Sequence, residues 1–131
     1  MPRRRKKKAR GFPGRLRVAK VYIETSVWGM TLDDQPRALR QPTNEFLRQC
    51  AMGLSLPSIS TVVVDEIALA PASEAARMMS EINRLSPRML KLTEESEQLA
   101  QRYLHAGVIP PKKQDDARHV AIATVAGLES W

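Results

Sequence analysis

From Val18 onward the chain alternates short β-branched or aromatic runs with segments whose apolar residues recur every three to four positions. That alternation restricts the architecture more than any other feature, because strands separated by helices are built into parallel sheets with helices as crossovers. Val18, Val21, Tyr22 and Ile23 read as a strand buried on both faces. Leu56 to Ile59 offers a second strand, and Met89, Leu90 and Leu92 suggest a third. The 131 residues are enough for one domain with a single core. The expected fold is α/β.

Helices fall between these runs. Asp33 to Pro42 lacks periodicity and reads as a loop, with Thr43 as the cap of a helix whose face is Phe46, Leu47, Cys50, Ala51 and Leu54. Gly53 can end it. Ser60 can cap a helix carrying Val63, Val64, Asp65, Glu66 and Ile67, although Thr61-Val62-Val63-Val64 is β-branched and could extend the strand instead. Pro71 and Ser73 introduce a helix with Ala75, Met78, Met79, Ile82 and Leu85 on its core face. Thr93 can cap the next, whose Glu94, Glu95 and Glu97 favour its positive end, and Gly107 suits its terminus. The last helix begins at Asp115-Asp116, one of which can cap it while the other stays free, and runs through His119 to Gly127.

Charge is distributed unevenly. Ten of the 21 Lys and Arg lie in residues 1–20, which hold no acid, so the remainder has eleven bases against 14 acids and a net charge of −3. The run Arg3, Arg4, Arg5, Lys6, Lys7, Lys8 repels itself and buries nothing, so residues 1–17 are expected to form a disordered basic tail, with the domain spanning 18–131. Such a tail can attract nucleic-acid phosphates without sequence choice, or can serve only as a solvated extension. No apolar run approaches the length of a membrane span, and the N-terminus lacks the apolar centre of a secretory signal; a cytoplasmic protein without membrane contact is expected. The single Cys50 reads as a small buried hydrophobe.

Glu24, Glu66 and Asp116 are the candidate chemical groups. Glu24 directly follows the first strand run, and open α/β sheets bind ligands in the crevice outside the carboxyl ends of their strands. Three carboxylates there could hold magnesium or manganese, hard cations that take oxygen ligands and assist phosphodiester cleavage. Thr25 and Ser26 add hydroxyls that can cap a following turn or contact the site. His119, three residues after Asp116, lies on the same helix face; a packed or hydrogen-bonded role is expected, since magnesium-type sites favour oxygen. HExxH, Walker A, GxSxG and GxGxxG spacings do not occur, which removes the common zinc-protease, NTPase, esterase and dinucleotide readings.

Three segments together resemble PIN-domain ribonucleases of the VapC toxin type. Val21-Tyr22-Ile23-Glu24-Thr25-Ser26-Val27 is similar to that family's first motif, Ser60 to Leu69 with Glu66 to its second, and Asp115 to Ala123 to its third, with Ala106-Gly107-Val108-Ile109-Pro110-Pro111 before it. The resemblance implies a three-layer α/β/α fold with a small parallel sheet, Mg2+ or Mn2+ held by Glu24, Glu66 and Asp116 as catalytic groups, and cleavage of RNA by a water made acidic on the metal. It implies Asp115 as a supporting group behind the ligands, with Thr25 and Ser26 positioning water or phosphate. It also implies a cognate antitoxin protein, and self-association into a homodimer accords with the family. Two departures stand out. Glu24 replaces the usual Asp, and the chain stops at Trp131, where a final strand and a fourth motif are expected, so the fold is expected to lack that strand. A truncated module that binds RNA or antitoxin without cutting is the alternative.

Overall fold

Val21, Tyr22 and Ile23 are almost entirely shielded from water, as expected of a strand with neighbours on both sides and helices above and below. The computed structural model describes residues 18–130; the tail at 1–17, including Arg3 to Lys8, and Trp131 lie outside the described residues. The first strand, β1 (Ala19–Tyr22), pairs in parallel with β2 (Ser55–Ser60), and the Ile23 amide extends the ladder by donating to the Ser58 carbonyl at 2.9 Å. β2 in turn pairs with β3 (Arg88–Leu90), and β1 with β4 (Glu129–Ser130), giving a parallel sheet ordered β3-β2-β1-β4. β4 corrects the expectation that the final strand is missing: its two residues are in register with Val21 and Tyr22.

Six helices connect the described strands: α1 (Thr25–Gly29), α2 (Arg37–Ala51), α3 (Thr61–Ala68), α4 (Ala72–Leu85), α5 (Glu94–His105) and α6 (Gln114–Ala126). The architecture is mixed α/β, consistent with three layers. Helices α1 to α4 pack against one another, while α5 pairs with α6. Trp28, Ile59, Val63 and Ile67 fill the main core with the β1 residues; burying each large apolar side chain contributes about 1.5–3 kcal/mol. A second cluster lies between α5 and α6, where Ala100, Ala117 and Ala121 are fully buried. Small residues there let the two helices come close.

Two local expectations change, at α2 and α6, and the open choice at Thr61 to Val64 is settled in favour of the Ser60-capped helix. α2 begins at Arg37 rather than Thr43, so part of the expected loop is helical, Pro42 sits inside the helix and Thr43 is buried within it. Thr61-Val62-Val63-Val64 is helical: Ser60 is extended and its side chain accepts from the Val63 amide, so the chain turns from β2 into α3 at a capped start. Neither Asp115 nor Asp116 caps α6. Lys113 holds that position without a side-chain cap, and both acids lie in the first turn, where the helix dipole favours them. The Thr93 cap is present, reinforced by Ser96 as a reciprocal capping box. Cys50 is buried, and burial pushes its thiol pKa up, which suits an inert core residue.

Candidate active site

The strand order places the candidate residues. The chain moves from β1 outward to β2 and β3, then returns to lay β4 on the other side of β1, so the connection leaving β1 runs to one side of it and the connection that arrives at β4 ends on the other. A crevice forms outside the carboxyl ends of strands at such a reversal. Glu24 lies two residues beyond β1, Glu66 on α3 directly after β2, and Asp116 in the first turn of α6, the helix that leads into β4.

Glu66 is the best-connected of the three. Its Oε1 accepts a short hydrogen bond from the Thr25 hydroxyl and lies 2.6 Å from His119 Nε2. His119 is buried, and its Nδ1 lies 2.6 Å from the Tyr22 hydroxyl, which is 2.7 Å from Ser60 Oγ. Burial is the main reason the Tyr22 phenol pKa is raised, and the charges of Glu66 and Glu24 add to it against an opposing effect of the Ser60 hydrogen bond. The phenol is therefore neutral across the physiological range.

Thr25 and Ser26 do not cap α1. Thr25 binds Glu66, and Ser26 donates to Glu24 Oε1 at 2.5 Å, so both hydroxyls serve carboxylates. Asp115 is tied to Arg118 at 3.1 Å, and Arg118 also holds Glu97 on α5 at 2.9 Å. The Asp116 side chain is exposed and makes no hydrogen bond or ion pair among the described residues. Glu66, Asp115 and Asp116 line an open cleft of about 550 Å3 with Lys112, Lys113 and Arg118. A smaller recess of about 140 Å3 shares Glu66, Asp115 and Arg118 and adds Val62, Leu69 and Leu92.

The donor chemistry suits a hard divalent cation. Glu24 Oε2, Glu66 Oε2 and both Asp116 oxygens are left outside side-chain bonds among the described residues, and oxygen ligands are what magnesium and manganese take. They do not stand as a finished cluster: among the described residues, no three His, Cys, Asp or Glu side chains are grouped so as to hold an ion. The sequence singled out the three acids, Asp115, Thr25 and Ser26. It treated Tyr22 only as core and Ser60 only as a cap; the signal for Tyr22 was its place two residues before Glu24, on the same side of an extended strand.

The chain matches no family model, and no curated protein matches it. No helix among the described residues is long and apolar enough to cross a membrane.

Proposed function

We propose that this protein is a metal-dependent endoribonuclease of the PIN type, the cytoplasmic toxin of a toxin–antitoxin pair. The observation that carries the reading is the cleft lined by both Glu66 and Asp116, with Glu24 two residues beyond β1 and its neighbour Thr25 bonded to Glu66. Glu24, Glu66 and Asp116 would hold Mg2+ or Mn2+, which when bound supplies Lewis acidity and an acidified water for attack on phosphorus. Glu66 enters that role oriented by Thr25 and His119. Lys112 and Lys113, on the same cleft, offer cations to the phosphates flanking the cut. The tail Arg3 to Lys8 adds attraction to RNA without sequence choice.

The test is cleavage of single-stranded RNA by the purified chain with manganese or magnesium, beside Asp116→Asn and an EDTA control. Cleavage that needs both the metal and Asp116 is expected, with the Asp116→Asn protein folded. Unchanged cleavage by that variant would remove Asp116 from the site. The separation of the acids in the structure favours a second reading, a module that binds RNA or an antitoxin without cutting. Tight binding with no cleavage, indifferent to added metal, would establish it instead.

A further inference from the structure

Ser60, Tyr22, His119, Glu66 and Thr25 form one continuous run of hydrogen bonds between the sheet and the helices α1, α3 and α6. Ser60, Tyr22 and His119 are at most 3% exposed, so bulk water cannot complete an unfilled position. Counting donors and acceptors then fixes the direction of the run. Ser60 Oγ already accepts from the Val63 amide at 3.4 Å, so its own proton needs an acceptor, and among the described residues that acceptor is the Tyr22 oxygen. Tyr22 must then give its proton to His119 Nδ1. The imidazole proton is left on Nε2, where it faces Glu66 Oε1. The opposite direction, with Nδ1–H donating to Tyr22 and Tyr22 to Ser60, fails because it leaves the Ser60 proton without an acceptor among the described residues and sets a bare Nε2 lone pair 2.6 Å from the Glu66 carboxylate oxygen.

We propose that His119, locked by Ser60 and Tyr22 in the tautomer protonated on Nε2, is a positioning residue that sets the orientation of the Glu66 carboxylate. This rests on the nuclease reading above. Two donors, the Thr25 hydroxyl and the His119 N–H, converge on Oε1 and fix the rotation of the group. Oε2 is the oxygen left for a cation or water in the cleft shared with Asp116. The raised pKa of the buried phenol supports this arrangement, since a neutral Tyr22 always has a proton to give.

The tautomer is read first, on the full chain without metal, from imidazole nitrogen shifts in a long-range proton–nitrogen NMR correlation. His119 protonated on Nε2 is expected; protonation on Nδ1 overturns the proposal. Manganese affinity by electron paramagnetic resonance and RNA cleavage are then compared for His119→Ala, His119→Gln and Tyr22→Phe. His119→Ala should weaken manganese binding and lower kcat by about 10- to 100-fold, as is typical when a group supporting a ligand is lost. KM for RNA should stay nearly constant, because His119 does not reach the cleft. The introduced glutamine carries an amide N–H that can take the place of Nε2, so His119→Gln should recover most of the loss. Equal losses in the Ala and Gln variants, or full function in His119→Ala, would overturn the proposal. Where His119→Ala fails to fold, Tyr22→Phe decides: it should admit the second tautomer and lower manganese affinity, and an unchanged spectrum and affinity would count against the relay. A native chain that never cuts RNA defeats the nuclease reading, while tautomer and manganese affinity still settle the role of His119.

Discussion

The Tyr22 hydroxyl lies 2.6 Å from His119 Nδ1 although 97 residues separate them in the chain, with the two rings tilted at 47°. The contact joins the central strand to α6 through buried polar groups. Tyr22→Phe keeps the ring and removes the hydroxyl, leaving Ser60 and His119 without their partner. Unfolding in urea should show a loss of about 1–3 kcal/mol, the range for a buried group left unsatisfied. The denaturant slope should not change, and an unaltered midpoint would mean that the hydroxyl is dispensable to the fold.

Glu97 gives a pH prediction. The Arg118 guanidinium, and then Gln101, hold its carboxyl below the usual glutamate range. A depressed folded pKa contributes stability above the unfolded value, about 4.3 for glutamate, and loses it as pH falls through the lower folded value. The side chain is 34% exposed, so the effect should be under about 1 kcal/mol. Stability measured from pH 6 down to about 2 should fall less steeply in Glu97→Gln than in the native chain; parallel curves would show that the pair contributes nothing.

Pro42 lies inside α2, where it has no amide to donate to the Ala38 carbonyl. It is exposed, so its replacement disturbs no core packing. Pro42→Ala should raise stability by roughly 1–2 kcal/mol, the helix gain of up to about 3 being reduced by the greater freedom of the unfolded chain. Thermal unfolding checks it, and a lower midpoint would mean that the proline is needed to shape the helix.

The basic tail calls for a comparison of RNA affinity against salt concentration. Binding by the full chain should weaken more steeply with salt than binding by a chain beginning at Val18, because ten of the 21 basic residues lie in residues 1–20. Equal slopes would dismiss the tail from RNA binding.

These predictions draw unevenly on the sequence. The Thr93 and Ser60 caps were legible because a cap is decided within four residues, and the strands because β-branched runs have few other uses. The start of α2 was hidden: Arg37 to Pro42 turns little toward the core, Leu39 is half exposed, and a proline argues against helix. Thr61 to Val64 carried conflicting signals, settled by the burial of Val62 and Val63. Asp115 and Asp116 looked alike, yet only Asp115 faces an arginine, one turn along α6. The link from Glu66 to His119 spans 53 residues, and no local pattern could announce it.

The distance along the chain between Tyr22 and His119 also sets an order in time. A ribosome adding about 5–20 residues per second takes roughly 5–20 seconds to travel from one to the other. For roughly the second half of that interval β1 and Glu66 have been made, but the imidazole that orients Glu66, 53 residues further on, has not. A growing chain is therefore chemically incomplete until α6 emerges, and whatever the finished site does begins only after most of the domain has been synthesised.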